Sequence, residues 1–396
     1  MAELTSVRPT TVGAKGEGAR FGLLDGLRLV AAVAVVAYHF TAYPTPHWGA
    51  PVSEVFPDLP QFTGYGALGV QFFFVISGFV ILLSAWGRSI PSFVASRIAR
   101  VYPAYWAAVL LAILLLTVIW PEGKDISLQQ ALMNLTMLQT GFQVPDIDGV
   151  YWTLWTELCF YVLMVGFMRL GITTNRVLVF CAAWPLASAF AIGSDNLLVS
   201  SFLMPRFASL FAGGMLIYVI YREGHSAIAW LLLGVNVVLA GNATYRGTFQ
   251  SIQANIGQEL PDVTVWLVVL AAFGVVALVT QTPLRQVSWR WITAAGTLTY
   301  PLYLVHEYWG LWVIDALYPR LPGRLVVIVA FAFVLVLAWA VHRVVERPYA
   351  RRFRRSIESG IARMSIPDVA DIGQVRAADA PPALITPEPV PATSRS

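Results

Sequence analysis

The sequence predicts an all-α membrane protein: a bundle of about ten transmembrane helices with both termini in the cytoplasm. Of its 396 residues, 57% are hydrophobic and only 12% are charged, whereas a soluble protein has about 25% charged residues. The hydrophobic residues form runs of about 20, the length that crosses a bilayer as a helix. These runs lack the alternation of barrel strands, and in lipid only helices and closed barrels satisfy their backbone groups. The predicted fold is therefore a polytopic helical bundle.

Ten segments are predicted as spans. They are 22–43, 66–86, 103–120, 151–171, 175–192, 202–221, 225–241, 261–280, 291–314 and 324–345. Segment 127–142 is amphipathic but too short and polar to span, so we expect it at the interface or packed over the bundle. Cys159 and Cys181 lie inside apolar runs. They are expected to be small buried side chains rather than a redox or metal site.

The distribution of basic residues predicts the topology. Most of the 26 Lys and Arg residues lie at the termini or in even-numbered connections. The basic residues of the odd-numbered connections are Lys124, Arg246, Arg320 and Arg324. Because basic residues collect on the cytoplasmic side, this bias places both termini inside. The same placement of basic residues explains the net charge of +4 by topology and by contact with membrane lipids. Nucleic acid is therefore disfavoured as a partner.

Three regions are predicted along the chain. Residues 1–20 are rich in small and polar residues, and with no signal-peptide cleavage site after a short apolar core we expect a disordered cytoplasmic segment. Residues 21–350 form the transmembrane domain. Residues 351–396 form a cytoplasmic tail, basic at first and rich in Ala and Pro from about residue 364.

Ionisable residues inside the spans are candidates for function, because a charge at the centre of a span costs at least about 2.5–3.5 kcal/mol. They are Asp25, Arg28, His39, Glu157, Arg206, His306 and Glu307. A single such residue is as readily explained by snorkelling or by pairing between helices. Seven in one bundle favour a polar cavity.

Arg28 and His39 share one face of the first span. They are eleven residues apart, which is close to three full helical turns and about 16 Å along the axis. This spacing suits an elongated ligand whose anionic end is bound by Arg28 while its reactive end lies near His39. Two unrelated residues would have the same spacing.

Arg97 and Arg100 lie one helical turn apart, just before the third span. Such a pair can bind phosphates. It can equally be a basic anchor on the cytoplasmic side, which is the more common role. In the second span, Ser77 and Gly78 are expected to let two helix backbones approach closely.

Six segments together resemble the integral membrane acyltransferase family 3, whose members transfer acyl groups to sugars, glycolipids, cell-wall polymers and some macrolides. Arg28, ten residues and His39 match the family's first-span signature. The other segments are GVQFFFVISGFVI (69–81), RIARVYPAYW (97–106), VYWTLWTELCFY (150–161), TYPLYLVHEYW (299–309) and VERP (345–348). Their order and spacing agree with the family from about residue 20 to residue 350.

The resemblance implies transfer of an acyl group, for example acetyl, from cytoplasmic acyl-CoA to a hydroxyl of a glycan, a glycolipid or a macrolide-like acceptor. It makes His39 the essential histidine, and Arg28, Arg97 and Arg100, with Tyr102 of the same motif, the donor-binding residues. An imidazole can act as the base that activates the acceptor, or it can carry the acyl group itself, and the sequence leaves both open.

Two further residues are assigned to the catalytic site. We expect Glu157 to orient His39 or to raise its basicity, and His306 to hydrogen-bond the acceptor or the thioester carbonyl. No metal is expected, because the five histidines show no ligand spacing. The choice of acceptor is expected to depend on the outer segments 44–65, 121–150 and 241–261.

The main alternative is a transporter or flippase for an acylated or anionic small molecule, for which charges inside spans are equally expected. The sequence shows no repeat and no matching pair of broken spans, which disfavours a transporter. Another class of membrane acyltransferase, with its histidine deep in the chain, is disfavoured because His39 lies in the first span.

Overall fold

A computed structural model describes residues 21–364 except 192, 195 and 258, and in this part of the chain it contains helices and no strands. The predicted N-terminal segment 1–20 and the tail beyond residue 364 lie outside the described residues. The α-helices are α1 (Gly22–Thr41), α2 (Val52–Val55), α3 (Pro60–Thr63), α4 (Gly69–Ala85), α5 (Ile90–Leu114), α6 (Leu128–Asn134), α7 (Trp152–Leu170), α8 (Thr174–Phe190), α9 (Leu197–Leu203), α10 (Ala208–Glu223), α11 (Ala227–Thr244), α12 (Gln250–Ile256), α13 (Asp262–Gln281), α14 (Arg290–Gly296), α15 (Thr299–Leu317), α16 (Gly323–Val341) and α17 (Arg347–Met364).

The helices confirm a polytopic membrane bundle. Within the described residues, eight helical stretches are long and apolar enough to cross a membrane. They are Gly22–Thr41, Pro60–Ala85, Ile90–Ile119, Gly149–Leu170, Leu197–Glu223, Ala227–Ile256, Asp262–Gln281 and Gly323–Tyr349. The other two predicted spans correspond to α8, which has 17 residues, and to α15, which has 19. The count of ten and the cytoplasmic termini stay predictions.

Several helices differ in extent from the apolar runs that predict them. The third span begins at Ile90 rather than at residue 103, with a proline in its first turn, and it continues through Pro103. The sixth is divided into α9 and α10 by a residue with positive φ, Met204. The ninth is divided into α14 and α15. A hydropathy profile detects only the apolar part of a helix, so it misses polar turns at the helix ends.

The centre of the bundle is the crossing of α4 and α10, where glycines bring the two backbones together. A Cβ on Gly78 would overlap the carbonyl oxygen of Phe211, and a Cβ on Gly214 would overlap that of Val75. No other residue type fits at either position without moving a helix. The predicted role of Gly78 in close packing is what the structure shows.

Helix α1 lies between α4, α14 and α15. It is held against the chain that leads into α4 by two further glycines: a Cβ on Gly66 would meet the carbonyl oxygen of Ala34, and one on Gly69 that of Ala31. This close approach fixes the rotation of α1 and so the direction in which His39 points.

The connection between α5 and α7 folds back onto the bundle, as its amphipathic character predicts. Asn134 is fully buried, and its side chain bonds to the backbone of Gln130, Pro145 and Ile147. Leu128 and Phe142, by contrast, are exposed. Asn134 therefore holds the connection to the protein through polar contacts, while some of its apolar side chains face outward.

The basic stretch that follows the last span is helical as far as Met364. This helix, α17, packs along α5, with the ring of Phe353 5.6 Å from that of Trp106. Cys159 and Cys181 are both buried and unbridged, as expected for small side chains in apolar surroundings.

Replacing Gly214 by Val tests the α4–α10 crossing. We expect the free energy of unfolding to fall by about 1–3 kcal/mol or more, because the new side chain overlaps the backbone of α4. The measurement is the thermal unfolding midpoint of the purified protein in detergent. A Cβ on Gly234, in α11, would have no neighbouring atom within 4 Å, so Gly234→Val is the matched control. Equal midpoints for the two variants would contradict this account of the crossing.

Candidate functional site

His39 and His306 meet in the interior of the bundle. His39 is in the last turn of α1, and His306 lies midway along α15 and is fully buried. The Nδ1 atom of His39 is 3.1 Å from Nε2 of His306, and the two rings are 5.0 Å apart at an interplanar angle of 57°. The two histidines that the sequence places in separate spans thus form one pair.

The hydrogen bonds around the pair assign its protons. His306 Nδ1 lies 2.8 Å from the carbonyl oxygen of Tyr303, so it carries the hydrogen and leaves Nε2 as an acceptor. His39 Nδ1 therefore donates, towards His306 Nε2 and towards the carbonyl oxygen of Val35 at 3.0 Å. A neutral imidazole has a single N–H, so the free lone pair of His39 is on Nε2.

Aromatic side chains surround the pair. The rings of Tyr38 and Tyr43 are 5.1 Å and 5.5 Å from that of His39. The ring of Tyr303 is 5.8 Å from that of His306, and its hydroxyl is 3.0 Å from Oγ1 of Thr153 on α7. The imidazoles are thus held by rings with polar edges, an environment that orients them and limits access of water.

A second polar cluster lies towards the other end of α1. Arg28 interacts electrostatically with Arg97 and Arg100 of α5, and with the carboxylates of Asp25 and Glu157. Its guanidinium is 3.8 Å from Asp25. Three positive charges face two negative ones, which leaves the cluster with excess positive charge. The predicted donor-binding arginines therefore do come together, and guanidinium groups in this number can bind phosphates.

Glu157 belongs to this arginine cluster rather than to the histidine pair. Its Oε1 accepts a 2.8 Å hydrogen bond from the hydroxyl of Tyr161, and it interacts with Arg28 and Arg97. Arg97 is also placed over the ring of Phe93 at 5.8 Å. Glu157 is therefore placed as a counter-ion for the arginines.

Two other predicted residues make contacts outside the clusters just described. The hydroxyl of Tyr102 donates to the carbonyl oxygen of Thr136 at 3.0 Å, so its bond is to the connection after α5. Arg206 is exposed and packs against Gly247. Within the described residues, no group of three His, Cys, Asp or Glu side chains is arranged to hold a metal ion.

The structure pairs Glu307, beside His306, with a carboxyl group that sequence reasoning did not select, that of Asp148. Glu307 is 7% exposed and Asp148 2%, and the two side chains are hydrogen-bonded to each other, which requires a proton on one of them. Burial and the neighbouring Glu307 raise the pKa of Asp148 well above its usual range. Asp148 lies just before the fourth span, so a search for charges inside spans does not find it.

Lys124 completes this group. Its ammonium donates to the carbonyl oxygens of Asp146 and Ile147 at 2.9 Å and 2.8 Å, and it lies over the ring of Tyr308 at 5.2 Å. The group fastens the connection between α5 and α7 to α15, next to the histidine pair. Its contacts position the connection, and none of them reaches His39.

The two clusters lie at different levels along α1 and have different chemistry. A basic cluster at one level can bind an anion, and about 16 Å further along the same helix a neutral imidazole with a free Nε2 lone pair can accept a proton. Such an arrangement can bind the anionic end of a long substrate and carry out proton transfer or nucleophilic chemistry at its other end.

Asp148→Asn tests the carboxyl pair. Because the pKa of Asp148 is raised in the folded state, its contribution to stability is present at low pH and is lost as pH rises through that pKa. The asparagine can still accept from the backbone amide of Val150 and donate to Glu307 at any pH. We therefore expect the unfolding midpoint of the wild type to fall more steeply than that of the variant as pH rises from 5 to 9.

The control for this measurement is Asp125→Asn, which changes an exposed carboxylate of the same connection. It is expected to follow the wild type. The same pH slope for the wild type and Asp148→Asn would show that the pair does not share a proton.

Comparison with known proteins identifies the family. The model of the family described as an acyltransferase domain, acyltransferase 3, matches residues 21–343. The chain is 26% identical over 318 residues to the exopolysaccharide production protein ExoZ of Rhizobium meliloti, covering 75% of this chain and 94% of the relative. It is 29% identical over 188 residues to acyltransferase MdmB of Streptomyces mycarofaciens, covering 44% and 46%. No solved structure matches. The chain is a multi-pass membrane protein that belongs to the acyltransferase 3 family.

Proposed function

We propose that this protein transfers an acyl group from acyl-CoA to the hydroxyl of a carbohydrate, glycolipid or macrolide-like acceptor. The observation that carries the proposal is the arrangement of α1, with an anion-binding cluster around Arg28 and a histidine pair around His39. Acyl-CoA has the matching form, with phosphates at one end and a thioester at the other. The names of the two relatives, a polysaccharide production protein and an acyltransferase, agree with a hydroxyl acceptor.

In this proposal the phosphates of CoA bind to Arg28, Arg97 and Arg100. Arginine is suited to this role because its planar fork forms paired hydrogen bonds with phosphate oxygens. Glu157 and Asp25 limit the repulsion among the three guanidinium groups when no donor is bound. The pantetheine arm then extends along α1 and brings the thioester to His39.

The chemical step uses the lone pair of His39 Nε2. It accepts the proton of the acceptor hydroxyl as the hydroxyl oxygen attacks the thioester carbonyl carbon. The carbon–sulfur bond then breaks, and the CoA thiolate receives the proton from the imidazolium. His306 accepts the hydrogen bond of His39 Nδ1, so it holds the ring in the required tautomer and stabilises the transient positive charge.

The first experiment separates the base from the donor site. His39→Ala is expected to lower kcat by about 10²–10⁴, the usual contribution of a general base. Arg28→Ala is expected to raise the KM for acyl-CoA by about 10- to 150-fold, since hydrogen bonds to charged groups contribute about 1.5–3 kcal/mol. The measurement is acyl-CoA-dependent release of CoA by the purified protein with an acceptor extract.

Two surface residues serve as controls for these variants. His225 stacks on Trp230 away from the pair, and Arg320 is exposed, so His225→Ala and Arg320→Ala are expected to keep full activity. Full activity of both His39→Ala and Arg28→Ala would overturn the proposal. Substrate translocation without CoA release would instead support a transporter.

A second experiment tests the role of His306. Phe at this position fills the same space but cannot accept a hydrogen bond, so the imidazole of His39 loses its orientation. We expect His306→Phe to lower kcat by about tenfold, in line with one lost hydrogen bond, with little change in the KM for acyl-CoA. His306→Gln, whose carbonyl oxygen can accept, is expected to recover part of kcat. A rise in KM at constant kcat would contradict this role.

A further inference from the structure

A groove lies just beyond the end of α1. It has a volume of about 540 Å³ and is walled by residues of the segment 42–53, by Pro60, and by Asn255 and Ile256 of α12. Ligand pockets have volumes of about 300–1,000 Å³. The walls come from two of the three outer segments in which the sequence places the choice of acceptor.

The groove is next to the histidine pair. Ala42, in its wall, is three residues after His39. The rings of Tyr38 and Tyr43 pack on that of His39, and Asn255, in the groove wall, donates a 3.4 Å hydrogen bond to the hydroxyl of Tyr38. The groove wall is therefore linked to the base through the side chain of Tyr38.

The groove and the arginine cluster lie on opposite sides of His39. Arg28 is eleven residues before His39 along α1, and the groove begins three residues after it. With the donor bound at the arginines, its thioester approaches the imidazole from one side. The other side, where the groove is, remains for the hydroxyl that attacks.

The chemistry of the walls restricts what the groove can hold. Three of the lining residues have polar side chains, Thr45, Ser53 and Asn255, and the others are Ala, Gly, Pro, Val and Ile. Among the described residues that line it, none has an ionisable side chain. A surface of this kind favours a ligand with an apolar face and a few hydroxyls, and disfavours a charged one.

The groove also has a rigid frame. Pro44, Pro46, Pro51 and Pro60 line it, and each fixes its own φ angle. Two of its wall residues, Ala42 and Ile256, belong with Tyr38 to a small hydrophobic cluster distinct from the main core. A preformed groove loses little conformational entropy when it binds a ligand.

We propose that this groove binds the acyl acceptor, and that the acceptor is an uncharged amphipathic ring compound, a glycoside bearing an apolar group, rather than a charged polysaccharide. The inference rests on the proposed function and restricts its class of acceptor. Specificity for the acceptor then depends on the groove.

The experiment uses full-length protein in lipid nanodiscs, acetyl-CoA and three probes. The probes are octyl β-glucoside, which is uncharged and amphipathic; methyl β-glucoside, which lacks the apolar group; and octyl β-glucuronide, which is charged. Release of CoA and the mass of the acetylated product are measured. We expect octyl β-glucoside to have the lowest KM of the three, by roughly tenfold or more.

Ser53→Trp and Ala50→Phe each fill the groove from an accessible position. We expect both to raise the KM for octyl β-glucoside by roughly tenfold more than the KM for acetyl-CoA, and an unchanged unfolding midpoint shows that a variant is folded. Ser226→Trp introduces the same large side chain at an exposed position just before α11 and is the matched control, with both KM values as in the wild type.

Each outcome decides between the two proposals. The groove proposal would be overturned if the three probes had equal KM values. It would also be overturned if Ser53→Trp and Ala50→Phe left the KM for octyl β-glucoside unchanged. CoA release with an acceptor extract but with none of the probes would refute this acceptor class and leave acyl transfer standing. If no CoA is released either with the extract or with any of the probes, acyl transfer itself is refuted.

Discussion

The hydrogen bond between His39 and His306 is the interaction on which the site depends. It joins residues 267 positions apart in the chain, and it requires a neutral imidazole on the accepting side, since an imidazolium has no free nitrogen lone pair. Each ring is also bonded to a backbone carbonyl of its own helix. Small rotations of α1 or α15 would break the contact, so the glycines that fix α1 against its neighbours are part of the geometry of the site.

The other buried polar groups are explained by the need to compensate charge. The arginines around Arg28 are accompanied by Asp25 and Glu157, and Glu307 is accompanied by Asp148 and Lys124. In a low-dielectric surrounding, an ionised group without such partners would cost several kcal/mol. Polar groups are therefore found in clusters, and the clusters lie where helices that are distant in sequence meet.

The sequence predicts the bundle and most of the residues of the site, for reasons that are local. Hydropathy identifies a span from its own composition, and the cost of a charge in lipid singles out Arg28, His39, Glu157 and His306 without knowledge of their neighbours. The partners of these residues are not local. That His306 meets His39, and that Glu157 lies among the arginines, depends on how α1, α5, α7 and α15 pack.

Two features escape sequence reasoning for definite physical reasons. Asp148 lies outside the spans and is buried only because the connection after α5 folds back onto the bundle. The polar first turns of α5, from Ile90 onward, have no apolar signature because protein and solvent, rather than lipid, surround them. In both cases the environment is created by tertiary structure.

Helix α15 has a consequence for how the protein is made. It contains His306, Glu307 and Asp315, it is not among the helices apolar enough to span a membrane by themselves, and 13 of its 19 residues are buried by other parts of the protein. A helix of this composition gains too little from lipid to leave the translocon alone. Its membrane insertion must therefore be cooperative and must wait for α1 and α5, which have been synthesised earlier, and for α16, which follows it. The histidine pair is therefore assembled only when α15, late in the chain, joins the bundle.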